Sequence, residues 1–333
     1  MTTHQMAITK TMTDRVEEKD KLLYVSLGLD ENKKVSEDEL YKKCRELLDR
    51  SSVALKDYAL KINTHKFVLG LSGGLDSSFV AIAARGALKM MGDDEKNLIL
   101  VTLPGFGTGK TTFSNSLALI ESVNATHINI DIKDVAKVAM KDLNLNKDDR
   151  TTAFENIQAR LRTVYLLTLA NMEGALELGT GDFSESALGW CTYGGDNISM
   201  YNINALLPKT LLRATLSLIG KYENKPYLTR IAETPITPEL LASNSGEEFS
   251  QKTEDIIGSY NLIDYLLYLV TVKGMDIDDA VIRAKETMRD FDGLSVNGKS
   301  YINHYGSVFK KRYLTQGFKR LNCPYPTLTA LRF

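Results

Sequence analysis

Short apolar segments alternate with longer amphipathic segments between residues 66 and 221 of this chain. A short apolar segment bounded by helical patterns is typical of a strand that is buried on both faces of a parallel sheet. Right-handed crossovers between such strands give a doubly wound sheet. We therefore expect an α/β fold with a parallel sheet of about five strands and flanking helices. The predicted strands are Phe67–Leu71, Leu98–Leu103, His127–Ile130, Leu176–Gly179 and Tyr201–Leu206. The predicted helices between them are Asp76–Met91, Thr111–Val123, Ala153–Met172 and Pro208–Lys221.

The regions on either side of the predicted sheet are expected to add helical extensions. Residues 1–36 are polar, with a mixed-charge run, and predict an N-terminal arm. Ser36 and Glu39 form a capping box that opens a helix over 37–62. A single domain is therefore predicted over 37–333. Its C-terminal part is predicted to contain a loop at 242–251 and helices at 254–272, 276–291 and 298–315.

The composition argues against several classes of protein. Lys and Arg number 41 and Asp and Glu 42, so the formal net charge is -1, which disfavours a nucleic-acid-binding protein. No run of 18 apolar residues is present, and residues 1–20 lack the apolar centre of a signal peptide, so we expect no membrane span and a cytoplasmic location. Cys44, Cys191 and Cys323 are too far apart to suggest a disulfide framework or a zinc site.

The segment Leu69-Gly-Leu-Ser-Gly-Gly-Leu-Asp-Ser-Ser78 joins the first predicted strand to its helix. A glycine turn at a helix N-terminus leaves backbone N–H groups free, and the helix dipole favours an anion there. Asp76 would repel a phosphate unless it holds a divalent cation that also contacts the phosphates. The segment therefore predicts a phosphate site, with a Gly-Gly turn capped by Asp as the alternative. The residues expected to form it are Ser72, Gly73, Gly74, Ser77 and Ser78.

A second glycine-rich segment, Gly105-Phe-Gly-Thr-Gly-Lys-Thr111, resembles a Walker A loop. The pattern of that loop is G-x-x-x-x-G-K-[ST]. The last three residues match its end, but the residue five positions before Gly109 is Pro104. Because one residue fewer changes the loop that wraps the phosphate, we expect an ordinary strand-to-helix turn here.

The SGGxDS loop between the first predicted strand and its helix resembles the pyrophosphate-binding loop of the ATP pyrophosphatase superfamily. Further segments match the synthetase domain of NAD synthetase, most closely that of the long glutamine-dependent enzymes, over residues 40–320. In that family ATP adenylylates the carboxylate of nicotinic acid adenine dinucleotide (deamido-NAD), and ammonia then displaces AMP. The resemblance implies an adenine nucleotide alpha hydrolase-like sheet. The matching segments are LPGFGT (103–108), FENIQARLR (154–162), GTGDFSESALGW (179–190), NALLPKT (204–210), QKTED (251–255) and QGFKR (316–320).

The resemblance implies roles for residues at the matching positions. Asp76, Glu185 and Lys209 are expected to be catalytic, with Asp76 and Glu185 holding Mg²⁺ on the phosphates. ATP is expected to contact Leu71, Ser72, Gly73, Gly74, Asp76, Ser77, Ser78, Thr180 and Lys209. Deamido-NAD is expected to contact Asn156, Arg160, Glu185, Trp190, Asp196 and Lys319.

The pattern around several of these residues agrees with such roles while leaving plainer alternatives open. Thr180 and Glu185 follow a parallel strand at the end where doubly wound sheets bind ligands, although Glu185 could be a solvated residue after an Asp182 cap. Asn156 and Arg160 share one helix face, which could equally be an ordinary polar face. Lys209 opposes the helix dipole, which suggests a nearby anion, although a solvated Lys is common. Trp190 could be a core residue, and Lys319 part of a surface pair.

No glutaminase domain is recognised before the synthetase segment, so we expect ammonia as the nitrogen donor or a separate glutaminase partner, unless the chain is a fragment. The resemblance also implies a homodimer or higher homo-oligomer. Two alternatives stay open: another adenylylating synthetase similar to GMP synthetase, and a non-catalytic nucleotide-binding regulatory subunit.

Overall fold

The computed structural model describes residues 15–145, 151–236, 253–288 and 298–321. The predicted loop at 242–251, Cys323 and the first 14 residues of the predicted arm lie outside these ranges. Five parallel strands form one sheet in the order β3-β2-β1-β4-β5, which confirms the doubly wound α/β fold. The strands are β1 (Phe67–Gly70), β2 (Leu98–Thr102), β3 (Thr126–Asn129), β4 (Leu176–Gly179) and β5 (Tyr201–Asn202).

Helices cover both faces of the sheet and form a further layer after β5. The helices up to the last strand are α1 (Lys21–Ser26), α2 (Glu37–Lys61), α3 (Leu75–Met91), α4 (Lys110–Val123), α5 (Lys133–Asp142), α6 (Thr152–Glu173) and α7 (Phe183–Leu188). Those that follow are α8 (Lys209–Tyr222), α9 (Pro226–Glu233), α10 (Thr253–Ile257), α11 (Tyr260–Leu267), α12 (Ile277–Thr287), α13 (Gly298–Thr315) and α14 (Gly317–Arg320). A π-helical turn, Tyr268–Val272, extends α11.

Local sequence explains most element ends, with two corrections. The Ser36 side chain accepts a hydrogen bond of 3.2 Å from the Glu39 N–H, as the capping box predicts for α2. Thr152 and Glu155 also have capping-box spacing and predict a second cap, which is wrong, because the N-cap of α6 is Thr151 and its side chain makes no capping bond. The predicted strand over 201–206 is also too long. Asn202 accepts a hydrogen bond of 3.0 Å from the Asn204 N–H, and this side-chain turn replaces the strand by a 3₁₀ turn.

The described part of the predicted N-terminal arm is folded, so that prediction is wrong for residues 18–27. A 3₁₀ turn at Glu18–Asp20 leads into α1, which packs against α11. Leu22 and Tyr24 of α1 are buried. The Tyr265 hydroxyl donates a 2.8 Å hydrogen bond to Glu18.

Two features of the fold position the functional site. The sheet order reverses at β1, which pairs with both β2 and β4, and this creates a crevice at the carboxyl ends of those strands. The C-terminal layer forms its own apolar cluster around α11 and packs against α7 and α8 beside that crevice. Among the described residues, no helix has both the length and the apolar character needed to cross a bilayer.

Candidate active site

The loop between β1 and α3 turns tightly against the start of α4. Gly73 has φ +84°, and a Cβ atom there would lie 2.0 Å from the Thr112 carbonyl oxygen. Only glycine tolerates both the left-handed backbone and this close approach. The Ser72 hydroxyl accepts a 3.1 Å hydrogen bond from the Gly74 N–H, and the Ser78 hydroxyl donates a 2.7 Å bond to the Gly74 carbonyl. The Ser78 hydroxyl therefore stabilises the loop.

This loop borders a cavity of about 330 Å³ at the carboxyl edge of the sheet. The cavity brings together the predicted ATP-binding positions on either side of the β1–β4 crevice. The predicted residues that line it are Leu71, Ser72, Gly74, Asp76, Thr180, Glu185 and Asp196. Gly74 is the N-cap of α3, so the first turn of that helix faces the region where the sequence predicts phosphate.

The ammonium group of Lys209 lies at the centre of three carboxylates beside the cavity. Its Nζ atom is 2.7 Å from Asp76 Oδ2, 2.7 Å from Asp182 Oδ2 and 2.8 Å from Glu185 Oε1. The Lys209 residue is fully buried, so the solvated alternative is wrong. The anion that the helix start suggested is thus supplied at least in part by the protein itself. These four residues are called the carboxylate–lysine cluster below.

Within the carboxylate–lysine cluster, burial and the attraction between opposite charges shift the pKa values in opposite directions. Burial raises the pKa of Asp182 well above its ordinary value, and the neighbouring Lys209 ammonium opposes that rise. Burial also raises the pKa of Glu185, again against Lys209. For Lys209 itself, burial lowers the pKa, but the three carboxylates together raise it well above the ordinary value. The ammonium form of Lys209 is therefore strongly favoured.

The carboxylate–lysine cluster suits a divalent cation. Oxygen atoms of Asp76, Asp182 and Glu185 lie within 4.8 Å of one another. When all groups are ionised, three carboxylates and one ammonium leave a net charge of -2. Asp76 Oδ1 is buried and accepts no hydrogen bond from any described residue. Hard oxygen donors of this kind are what Mg²⁺ prefers, so the predicted pair of Asp76 and Glu185 fits that ion.

Asp182 was expected only as a helix cap, and the structure gives it a second role. Its Oδ1 atom accepts a 2.7 Å hydrogen bond from the Glu185 N–H, which confirms the cap of α7. Its other oxygen pairs with Lys209 inside the protein. The signal that could have revealed this is the spacing of the two acidic residues. A cap at the start of a helix and a residue in its first turn lie close together.

Asp264 of α11 is a buried residue that the sequence analysis missed. Its Oδ1 atom accepts a short hydrogen bond from the Ser184 hydroxyl. Its Oδ2 atom accepts bonds of 2.9 and 2.7 Å from the Thr210 N–H and hydroxyl. The N-cap of α8 is Pro208, which has no capping side chain, so Asp264 caps that helix from another part of the fold. Asp264 thereby fixes the backbone that carries Lys209.

Tyr260, one turn before Asp264 on α11, reaches the carboxylate–lysine cluster directly. Its hydroxyl donates a 3.3 Å hydrogen bond to Glu185 Oε1. The Lys209 Nζ atom lies 5.3 Å from the centre of its ring. Spacing of four residues places Tyr260 and Asp264 on one helix face. That spacing is the signal from which both could have been found.

Three of the predicted dinucleotide-binding residues converge on the segment between α7 and β5. Asn156 accepts a 2.8 Å hydrogen bond from the Thr192 hydroxyl, and Asp196 accepts a 2.6 Å bond from the Thr192 N–H. Arg160 donates a 3.2 Å bond from Nε to the Tyr193 carbonyl. The helix face shared by Asn156 and Arg160 therefore contacts this segment.

Trp190 lies within this same segment, and Lys319 of α14 contacts it. The Arg312 guanidinium lies 4.8 Å from the centre of the Trp190 ring. Lys319 Nζ donates hydrogen bonds of 2.9 and 2.7 Å to the carbonyls of Gly189 and Cys191. Neither Trp190 nor Lys319 belongs to the cavity lining formed by the described residues.

The Walker-like segment uses its backbone N–H groups within the protein. The Gly105 N–H donates a 2.9 Å hydrogen bond to the Thr108 hydroxyl. The Phe106 N–H donates a 2.9 Å bond to Gln158 of α6. A phosphate-wrapping loop needs such N–H groups free for the ligand. These contacts agree with an ordinary turn.

Comparisons with known proteins agree with the geometry. The NAD synthase family model matches residues 47–292. Glutamine-dependent NAD(+) synthetases from Mycobacterium leprae and Thermotoga maritima are 39% and 30% identical over 69% and 68% of this chain. The chain spans only 35% and 38% of the lengths of these two relatives.

Solved structures share the fold. A glutamine-dependent NAD(+) synthetase from Cytophaga hutchinsonii has a TM-score of 0.63 at 18% identity, covering 85% of this chain and 50% of that one. An NH3-dependent NAD synthetase from Campylobacter jejuni has a TM-score of 0.55 at 19% identity, covering 81% and 95%. Because the family model matches well over half of its residues, this chain belongs to the NAD synthase family.

Proposed function

We propose that this chain catalyses the ATP-dependent amidation of deamido-NAD to NAD, with release of AMP and pyrophosphate. The observation that carries the proposal is the position of the carboxylate–lysine cluster. It borders the same cavity as the glycine turn of the β1–α3 loop, at the crevice where doubly wound sheets bind nucleotides. Family membership and the identity to NAD synthetases support this reaction over a synthetase similar to GMP synthetase.

The β1–α3 loop binds the ATP phosphates in this proposal. The backbone at Gly73 and Gly74 leads into α3, whose N-terminus favours negative charge. Asp76 and Glu185 would hold Mg²⁺, with Asp182 as a third carboxylate of the cluster. The ion would supply charge stabilisation for the transferring phosphoryl group. Lys209 keeps these carboxylates together and adds a positive charge beside the phosphates.

The remaining residues orient the second substrate. Asp196 lines the cavity, and Asn156 and Arg160 fix the segment that precedes β5. Trp190 and Lys319 act on deamido-NAD through that segment.

The carboxylate of deamido-NAD attacks the α-phosphorus of ATP, pyrophosphate leaves, and an adenylylated carboxylate forms. Ammonia then attacks the acyl carbon, the bond to AMP breaks, and a proton is released with the amide.

We also propose ammonia as the donor for this chain by itself, and its buried Cys44 does not resemble an activated nucleophile. Cys44 is fully buried, and burial raises the pKa of its thiol to about 11. A homodimer stays a prediction from the family resemblance, and a cytoplasmic location and a separate glutaminase partner stay predictions from the sequence.

The test is one incubation of the purified chain with deamido-NAD, ATP and Mg²⁺, with either ammonium or glutamine as the donor. We expect NAD, AMP and pyrophosphate with ammonium, and essentially no NAD with glutamine. Asp76→Asn should lower turnover by about two orders of magnitude or more, because the metal contributes several kcal/mol. Asp134→Asn is the matched control, since its side chain is 94% exposed.

Other products would identify the alternatives. ADP and phosphate would indicate a P-loop enzyme, and nucleotide binding without turnover would indicate a regulatory subunit. Strong NAD formation from glutamine alone would refute the proposed donor.

A further inference from the structure

Glu177 is a carboxylate in the middle of β4. A parallel strand buried on both faces normally carries only apolar side chains at such positions. Its neighbours Leu176 and Leu178 follow that rule, yet Glu177 is as buried as they are, with 4% of the residue exposed. The proposed reaction, as derived above, gives this residue no task.

Among the described residues, the Glu177 carboxylate has a single hydrogen-bond partner. Its Oε2 atom accepts a 3.1 Å hydrogen bond from the Met200 N–H. Within the described ranges, no group donates a hydrogen bond to Oε1, and no Lys, Arg or His forms an ion pair with the carboxylate. Burial raises the pKa of Glu177 to about 7, so the charged form is costly here. A cation that reached Oε1 would remove much of that cost.

Glu177 lines the same cavity as the β1–α3 loop and the carboxylate–lysine cluster. The cavity wall also includes Asp196, which adds a second carboxylate, and the apolar side chains of Leu166 and Ile198. A ligand can therefore approach Glu177 from the side on which the proposed chemistry takes place.

The charges of the three substrates decide which of them suits Glu177. ATP and deamido-NAD carry anionic phosphates, and the one cationic centre of deamido-NAD, its pyridinium nitrogen, has no N–H, so neither offers a charged hydrogen-bond donor to a buried carboxylate. The ammonium ion is small and positively charged, and each of its N–H groups is a hydrogen-bond donor. Charge-assisted hydrogen bonds from such a donor to a carboxylate are among the stronger ones in proteins.

We propose that Glu177 Oε1 is the binding site of the nitrogen donor, received as an ammonium ion from within the cavity. This inference rests on the proposed function, because it assigns one of that reaction's substrates to a residue.

The kinetic test uses Glu177→Gln, which keeps the size of the side chain and its acceptor for the Met200 N–H. We expect the KM for ammonium to rise at least about tenfold. The KM values for ATP and deamido-NAD should stay within about twofold. Glu173→Gln is the matched control, because it removes the same charge from a side chain that is 36% exposed. An unchanged KM for ammonium would overturn the proposal, as would a rise in the KM of either other substrate instead.

A second test needs no turnover. Thermal unfolding is compared in ammonium chloride and in tetramethylammonium chloride at equal concentration and pH, since the latter cation has no N–H donors. The wild-type midpoint should be higher in ammonium by at least about 1 °C, and Glu177→Gln should show no difference. Equal wild-type midpoints would refute the site. Ammonium stabilisation without NAD formation would keep the site and refute the proposed function. NAD formation with an unchanged ammonium KM in Glu177→Gln would keep the proposed function and refute the site.

Discussion

Replacing Lys209 by methionine keeps much of the side chain's length and removes the ammonium that three carboxylates share. At separations of 2.7 to 2.8 Å, each attraction is worth about 6 kcal/mol at an effective dielectric constant of about 20. The cost of burying the ammonium and proton uptake by the carboxylates offset most of this. Removing one partner of a buried ion pair costs about 3–5 kcal/mol in practice. We expect Lys209→Met to lower the free energy of unfolding by that amount at about pH 8.

The loss of stability in Lys209→Met should depend on pH, and the pKa values of the carboxyl groups determine the direction. Burial already raises the pKa values of Asp182 and Glu185, and loss of the ammonium raises them further. A carboxyl group whose pKa is higher in the folded than in the unfolded state binds more protons when folded. Its protonated form then favours folding at low pH, and that contribution is lost as the pH rises through the folded pKa. The deficit of Lys209→Met should therefore shrink towards about pH 5.

The assay is urea unfolding of the wild type and the variant at both pH values. Lys221→Met is the matched control on the same helix, because its side chain is 62% exposed. It should leave the free energy of unfolding nearly unchanged at both pH values. A deficit below about 1 kcal/mol for Lys209→Met at the higher pH, or one that grows on acidification, would show that Lys209 does not neutralise buried carboxylates.

Gly73→Ala should lower stability by at least about 1–2 kcal/mol and raise the KM for ATP, because its Cβ would lie 2.0 Å from the Thr112 carbonyl. Gly92→Ala is the control in unfolding and kinetic assays, since φ is +75° there but no atom lies within 4 Å; equal effects would contradict the close approach. Lys110→Ala should leave turnover nearly unchanged, and loss of turnover in steady-state assays would revive the P-loop interpretation. Asp264→Ala should cost about 1–3 kcal/mol in unfolding assays by leaving buried donors unpaired, and should lower kcat more than it changes the KM for ATP. A larger change in that KM would show that Asp264 does not act through Lys209.

The sequence predicted the sheet because the signals of its strands are local. The strands β1 and β2 are short apolar runs, and all four strands from Phe67 to Gly179 were found with ends within about two residues. Asp76 and Glu185 were also predicted to lie at one crevice, because each belongs to a motif that directly follows a strand.

Contacts between distant segments could not be predicted in this way. Asp264 binds Ser184 and Thr210 across 80 and 54 residues of sequence, and no local pattern marks such a pair. The helices α5 and α9 were missed, since each is short and leaves few turns over which a helical period can repeat. The burial of Lys209 was missed for a related reason. Its carboxylate partners come from two other segments of the chain, and only the tertiary fold reveals that the lysine is not solvated.

The capping of α8 by Asp264 also determines when the site can form during synthesis. The last strand of the sheet ends at Asn202, so a growing chain has made every strand well before residue 264 leaves the ribosome. Until then the first turn of α8 has no cap from α11, and Tyr260 cannot contact Glu185. The nascent chain thus contains the residues of its sheet and of its carboxylate–lysine cluster before the residues of α11 that support Lys209 and Glu185.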